Sequence, residues 1–464
     1  MLFPTVQFAI FFPVVLALNW VLMPRPWFWK PFIVVASYAF YAAANWRFCF
    51  LLGGITLWNQ AAARLVQRTG DERRRRWIAG AAVTGNLVVL GVFKYYSFFV
   101  QDVDRVLDAM RLGLPLPLLT IALPVGVSFF TFQAISYTVD VHRRLIEPAS
   151  LLDAAIYLSF FPHLVAGPIV RAREFLPQLA APRDQQRVAV GAGVSLIALG
   201  LIKKVVIADY LARTVVDPVF AVPQSYAAPD AALAAYAYTA QIYCDFSGYT
   251  DIAIGLALLM GFVFPQNFDR PYRSLGVREF WRRWHMTLSR FLRDFLYIPL
   301  GGNRGRRWFV YRNLMITMVL GGLWHGAAWT FVLWGALHGL ALCLEHAFGE
   351  RWERAPKWAR WSVTFNFVVL AWVFFRSQSI GDAWTFLGRL FTPGPATLWA
   401  FTPVALAAAV IVSQLLPPRP LERLRLRFER LNPVVLATAL AVVILFAGAT
   451  VPSQGVAPFI YFRF

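Results

Sequence analysis

The sequence is poor in charged residues and in cysteine. Asp, Glu, Lys and Arg make up 15% of its 464 residues, whereas soluble domains average about a quarter. Its three cysteines, Cys49, Cys244 and Cys343, lack the spacing of a disulfide framework. Hydrophobic residues make up 59% of the chain. These proportions exclude a disordered chain, a disulfide-stapled domain and a secreted soluble enzyme, and they predict a membrane protein.

Acidic residues are also few, with 24 Asp and Glu against 44 Lys and Arg and a formal net charge of +20. The basic residues fall in short runs between apolar segments, and the aromatic residues lie in the apolar segments. This pattern is typical of topology-determining loops, so we expect no nucleic-acid partner. Residues 1–4 carry no basic side chain before the first apolar run, which predicts a retained first span.

Apolar segments recur along the chain at the spanning length of about 20 residues. Nine segments fit this length: 6–23, 27–44, 48–66, 77–100, 116–139, 188–210, 363–375, 401–416 and 433–450. Two longer runs, 231–265 and 313–348, would each be about 52 Å long as straight helices, so each is expected to kink, tilt or fold back. The run 151–170 contains Pro162 and Pro168, which favours a re-entrant or broken helix.

The basic runs all fall on the cytoplasmic side if the amino terminus is outside and 313–348 is a hairpin. These runs are 68–76, 143–144, 171–187, 270–312 and 419–430, and the acidic stretch 101–111 then forms an outside loop. We therefore predict an all-α polytopic membrane protein with about eleven transmembrane helices plus re-entrant and interfacial amphipathic helices. No repeat or soluble segment interrupts the chain, so residues 1–464 are interpreted as one integral membrane domain.

Residues 278–297 show helical periodicity, with aromatic and leucine side chains on one face and arginines elsewhere. The apolar stripe consists of Trp281, Trp284, Leu288, Phe291, Leu292 and Phe295. This pattern predicts one cationic amphipathic helix in the cytoplasmic interface, ended by Pro299 and the glycines that follow. His285 falls on the apolar face, where a packed histidine is the alternative to a site residue.

A second histidine, His325, lies deep in an apolar run between Trp324 and Gly326. An ionisable group at membrane depth is a functional-site hypothesis, and imidazole suits removal of a hydroxyl proton near neutral pH. The alternative is a small-residue helix contact around a buried neutral ring. His163, Asp245 and Asp251 are also at depth, but a six-residue separation turns the two carboxylates apart, which favours structural roles. No HExxH or CxxC spacing appears, so no metal site is expected.

Four motifs together resemble the membrane-bound O-acyltransferase (MBOAT) family. They are DFSGYTD at 245–251, FWRRWHMTLS at 280–289, PLGGNR at 299–304 and GLWHG at 322–326, which define a motif core of about 245–346. The chain is most similar to the bacterial branch that contains the alginate O-acetyltransferase membrane subunit and the teichoic-acid D-alanyl transfer protein. The resemblance implies that His325 is catalytic, that His285 is a second site residue, and that the fold is a funnelled helical bundle.

The resemblance also implies the reaction and its setting. An acyl group, with acetyl favoured, moves from a cytoplasmic thioester such as acetyl-CoA towards hydroxyls of an exported, alginate-like polysaccharide, directly or through a periplasmic SGNH-type acyltransferase partner. The expected location is the bacterial inner membrane, with lipid around the chain and no permanently bound cofactor. The residues expected on the donor side, as part of a basic surface that would attract phosphates, are Arg282, Arg283, Asn303 and Arg304.

Three alternatives stay open. Within the same class, the chain would transfer D-alanyl groups to teichoic acid. In a second class, a proton-coupled transporter would use Asp245, Asp251, His163 and His325 as its path, although the paired broken helices of inverted repeats are not found. In a third, the chain would be a polysaccharide-export scaffold without catalysis.

Overall fold

The computed structural model describes residues 1, 3–110, 122–180, 183–417, 428 and 431–450, and every regular element within them is helical. This confirms the all-α fold. The α-helices are α1 (Val6–Leu22), α2 (Pro26–Asn45), α3 (Phe48–Arg68), α4 (Glu72–Ala109), α5 (Val127–His142), α6 (Leu151–Ser159), α7 (Phe161–Leu164), α8 (Ala172–Phe175), α9 (Val190–Leu201), α10 (Asp209–Leu211), α11 (Asp217–Ala221), α12 (Ala228–Leu259), α13 (Val277–Arg283), α14 (Met286–Leu292), α15 (Arg307–His325), α16 (Trp329–Arg354), α17 (Lys357–Arg376), α18 (Ile380–Arg389), α19 (Phe401–Leu415) and α20 (Pro433–Thr450). The π-helical segments are Ile202–Ala208, Ala212–Val216 and Arg293–Tyr297.

Within the described residues, five helical segments are long and apolar enough to cross a membrane. They are Glu72–Ala109, Val190–Ala221, Ala228–Leu259, Trp329–Arg354 and Lys357–Arg376. Shorter apolar helices include α1, α19 and most of α20. A polytopic chain is confirmed, whereas the count of about eleven spans is not.

The chain divides into two compact units. The first unit comprises Met1–Val188 and Leu256–Phe264, and the second comprises Ala189–Gly255 and Pro265–Phe464. In the first unit, Asn59 and Asn86 exchange amide hydrogen bonds of 3.0 and 2.8 Å in full burial. Such pairing is what a helix bundle at membrane depth requires of its amides, because lipid offers no partner.

Two predictions in the first unit meet different outcomes. The run 151–170 is broken as expected: α6 ends at Ser159, Phe160 is non-helical, and α7 is a single turn around Pro162. The predicted outside loop at 101–111 is wrong as a loop, because α4 stays helical to Ala109 and Arg105 pairs with Asp102 one turn earlier at 3.0 Å. The first part of the predicted span 116–139 and most of the basic run 419–430 lie outside the described residues.

The two long apolar runs of the sequence fold differently. Residues 231–265 do not fold back: α12 is one helix of 32 residues, and it ends at Leu259 before Gly261, whose φ is +85°. The run 313–348 is the expected hairpin, with α15 and α16 separated by the extended residues around Gly326. Glycines let the hairpin close, since a β-carbon on Gly322 would overlap the Phe331 carbonyl oxygen and lie 3.1 Å from Gly335 Cα.

Candidate functional site

The amphipathic segment that carries His285 is broken in the middle, so the prediction of one continuous helix is wrong. Helix α13 ends at Arg283, α14 begins at Met286, and His285 between them has a φ of +42°. Asn267 causes the break: its carbonyl oxygen accepts the Met286 N–H at 2.9 Å and its Oδ1 accepts the Thr287 N–H at 3.2 Å. The helical periodicity of the sequence predicts a continuous helix, but the hydrogen bonds that Asn267 accepts from Met286 and Thr287 interrupt it.

Asn267 also fixes the tautomer of His285. Its Oδ1 must be an acceptor because it receives the Thr287 N–H, so His285 Nδ1, 3.1 Å from it, is the protonated nitrogen. Burial lowers the pKa of His285 to about 3, which keeps the ring neutral at physiological pH. The other nitrogen, Nε2, is therefore a lone-pair acceptor, and it is buried without a hydrogen-bond partner among the described residues.

His325 is held differently, at the carboxyl end of α15 and 2% exposed. Its ring packs against Trp324, Trp334 and Phe375, with centroid separations of 4.9, 5.2 and 5.3 Å. The next residue, Gly326, admits no β-carbon because it would overlap the Phe331 ring. Aromatic side chains therefore surround the carboxyl end of α15.

The two histidines predicted as catalytic both lie next to the ring of one tryptophan. Trp324 is 6.0 Å from His285 and 4.9 Å from His325 between ring centroids. Phe246, from the DFSGYTD motif, packs edge-on against His285 at 4.6 Å. Three of the four sequence motifs thus converge on one place in the second unit.

A cavity of about 610 Å³ opens beside the broken segment. Its basic lining residues are Arg278, Arg282, Arg290, Arg293 and His346, and its other lining residues are Trp281, Met286, Ser289, Leu292, Tyr297, Asn303, Leu314, Thr317, Met318 and Leu342. The cavity therefore combines a cationic part with an apolar part. Neither His285 nor His325 is among the lining residues, although Met286, which follows His285, is one of them.

Of the four residues predicted on the donor side, two line the cavity and two do not. Arg282 and Asn303 line the cavity. Arg283 is engaged in ion pairs with Asp269 at 2.7 Å and Glu279 at 2.9 Å. Arg304 is exposed, in the turn that contains the positive-φ glycines, and it does not line the cavity.

The other polar residues at depth are paired or lie elsewhere. Lys204 in the π-helical segment reaches Asp209 at 2.8 Å and Asp245 at 2.5 Å, and its neighbour Lys203 reaches Asp251 at 2.7 Å. The wide π turn lets two consecutive lysines face one helix, which the sequence did not reveal. His163 belongs to the first unit, where its Nε2 lies 2.9 Å from the Tyr157 carbonyl oxygen.

Comparison with known proteins identifies the family of this chain. The profile described as "MBOAT, membrane-bound O-acyltransferase family" matches residues 86–381. A probable alginate O-acetylase of Pseudomonas aeruginosa is 43% identical over 369 residues, 78% of this chain and 69% of the relative. A peptidoglycan O-acetyltransferase of Helicobacter pylori is 38% identical over 392 residues, 77% of this chain and 73% of the relative.

More distant similarity reaches the D-alanyl branch. A teichoic acid D-alanyltransferase of Bacillus subtilis is 27% identical over 273 residues, 55% of this chain and 69% of the relative. The family profile covers most of the chain and includes both His285 and His325. The chain belongs to the membrane-bound O-acyltransferase family, and it is a multi-pass membrane O-acyltransferase.

Proposed function

We propose that the chain transfers an acetyl group from a cytoplasmic thioester towards hydroxyl groups of an exported, alginate-like polysaccharide in the bacterial inner membrane. The observation that carries the proposal is the burial of His325 and His285 next to the same tryptophan, Trp324, within a chain whose 43% identical relative is named for alginate O-acetylation.

The arginine cavity supports a phosphate-bearing thioester as donor. Guanidinium groups form bidentate hydrogen bonds with phosphate oxygens, and Arg278, Arg282, Arg290 and Arg293 surround one space. Leu314, Met318 and Leu342 give the same space an apolar part. A ligand with an anionic head and an uncharged thioester arm, such as acetyl-CoA, matches both parts.

His325 is proposed as the general base. It takes the proton of the accepting hydroxyl, the oxygen attacks the thioester carbonyl, the carbon–sulfur bond breaks, and the proton passes to the leaving sulfur to give a free thiol. Base catalysis of this kind contributes about 10² to 10⁴ in rate. Because aromatic rings enclose His325, they have to move apart when the thioester arm arrives.

His285 is proposed to orient the donor. Its Nε2 has a lone pair and no proton, so it accepts an N–H from the thioester arm rather than donating to the carbonyl oxygen. This tautomer favours orientation over polarisation of the carbonyl.

The names of the relatives indicate three candidate acceptors of the acyl group: an alginate-like polymer, peptidoglycan and teichoic acid. The higher identities belong to the two O-acetylating relatives, which favours acetyl over D-alanyl. Transfer to the hydroxyl occurs directly or through a serine of a periplasmic SGNH-type partner. Mass spectrometry of the extracellular polymer and of the cell wall, from cells with and without the chain, separates these acceptors.

The central test replaces His325 with Ala and measures polymer acetylation and polymer yield separately at equal membrane abundance. We expect acetylation to fall about 10² to 10⁴-fold with normal yield. His142→Ala is the matched control, because this histidine lies in the first unit at the end of α5. Loss of export with acetylated intracellular polymer would instead indicate a transporter, and no change would indicate a scaffold.

A further inference from the structure

A third buried histidine of the second unit, His338, contacts a residue that lines the arginine cavity and has no part in the proposed chemistry. It lies on α16 and is fully buried among the rings of Phe280, Trp334 and Phe367. One polar contact defines its orientation: the indole Nε1 of Trp281 donates to His338 Nδ1 at 3.3 Å. Trp281 is also one of the residues that line the cavity.

The chemistry of this contact sets the tautomer. Indole nitrogen only donates, so Nδ1 must be the unprotonated nitrogen and Nε2 carries the hydrogen. Nε2 is buried without a hydrogen-bond partner among the described residues. An unsatisfied buried donor is costly, and a leucine or phenylalanine would fill this aromatic pocket without that cost. What an imidazole adds here is an acceptor for Trp281.

Trp281 stands between the cavity and the surroundings of His325. On one side it lines the space surrounded by arginines, and on the other its ring is 5.7 Å from that of Trp334. Trp334 in turn packs at 5.2 Å against His325 and at 4.9 Å against His338. A displaced indole at Trp281 would therefore disturb the Trp334 ring that packs on His325 and would open the cavity towards that ring.

We propose that His338 is a positioning residue that holds the Trp281 indole as a wall between the arginine cavity and the Trp334 ring on His325. The wall directs the thioester towards the accepting hydroxyl and excludes water until that hydroxyl is in place. This inference rests on the proposed function. It adds a role for His338 that is distinct from proton transfer.

The experiment compares acetyl transfer with donor hydrolysis in membranes of cells that make the polymer. Labelled acetyl-CoA is supplied, and label in polymer and free acetate are measured for each variant. His338→Leu removes the acceptor, Trp281→Phe removes the donor, and His338→Asn places an amide oxygen near the position of Nδ1. Trp308→Phe is the matched control, because that tryptophan is 72% exposed and does not line the cavity.

We expect His338→Leu to lower transfer about tenfold and to raise the ratio of hydrolysis to transfer by about fivefold or more. Trp281→Phe should reproduce the altered ratio, the double variant should add less than about twofold, and His338→Asn should restore transfer to within about threefold of wild type. A purely structural role would lower both activities together.

Two negative results have different meanings. If wild-type membranes leave acetyl-CoA intact, the donor of the proposed function is wrong and the positioning role for His338 is lost with it. If wild type transfers acetyl groups and His338→Leu, His338→Asn and Trp281→Phe keep its ratio of hydrolysis to transfer, the inference alone is overturned. Because three variants report on one contact, poor folding of one does not remove the test.

Discussion

His285 and His325 both pack next to Trp324, yet they differ in the interactions described around them, because His285 also has a hydrogen bond to Asn267. His285 is held by polar contacts: Asn267 bonds its Nδ1, and the backbone at this residue adopts a left-handed conformation. His325 ends a regular helix and is enclosed by three aromatic rings. A hydrogen bond determines which nitrogen carries the proton, whereas packing determines the plane of the ring and its exposure to water.

Because of this difference, we expect the surroundings of His285 and those of His325 to respond to different kinds of substitution. The surroundings of His285 should respond to loss of an acceptor atom, because the loop, the cap and the tautomer all depend on Asn267. The surroundings of His325 should respond to added volume, because a close-packed group of rings has no room for it. Substitutions of neighbouring residues, which leave both histidines in place, therefore test each of the two regions by itself.

Among substitutions that keep both histidines, the largest effect is expected from Gly326→Ala. The new β-carbon would overlap the Phe331 ring, which packs at 4.9 Å against Phe375, a neighbour of His325. Overpacking of this kind costs about 1–3 kcal/mol, and displacement of the base should lower acetyl transfer about 100-fold. Transfer to polymer is measured together with the thermal midpoint of the purified protein in detergent.

The matched control is Gly349→Ala, also in the second unit. Gly349 lies inside α16, and a β-carbon there meets no atom within 4 Å, so activity should be unchanged. Near-normal transfer by Gly326→Ala would contradict the view that packing holds His325.

A smaller effect is expected from Asn267→Leu, which removes the acceptor but keeps a side chain of the same branched shape and number of heavy atoms. The Thr287 N–H and His285 Nδ1–H lose their partner, the tautomer is no longer fixed, and transfer should fall about 10 to 30-fold. Asn267→Asp retains an acceptor oxygen and should recover most of the activity. Equal losses in the two variants would show that the acceptor atom is not what matters, and the contrast with His325 would then fail.

Much of the fold could be predicted because the bilayer imposes simple rules on sequence. Spanning length and the prolines of 151–170 predicted helices and a broken segment, and the glycines around Gly322 were consistent with a tight hairpin. Helix ends were less predictable. The charged end of α4 appeared to be a loop because charge usually ends a span, yet an ion pair between Asp102 and Arg105 supports a helix that continues past the apolar stretch.

The candidate site was predictable in its histidines but not in their partners. His285 and His325 were found because ionisable groups are rare in apolar segments and because their motifs resemble a family. Asn267 was missed since an isolated asparagine in an irregular loop has no periodicity, and its role depends on a contact eighteen residues along the chain. The pairing of Lys203 and Lys204 with α12 was hidden for a similar reason, because sequence patterns do not predict a π turn.

The smallest effect is a dependence of stability on pH that belongs to His285. Its pKa is about 3 in the folded protein and about 6.5 when exposed, so the unfolded chain binds the proton first as pH falls. The stability from this group is therefore fully present above about pH 6.5 and is lost on acidification, on the order of 2 kcal/mol at pH 5. His285→Asn should show a smaller drop in thermal midpoint between pH 8 and pH 5 than wild type, although its midpoint at pH 8 is lower. Identical drops in the two proteins would mean that the pKa of His285 is the same in the folded and unfolded states, and the buried environment described above would be wrong.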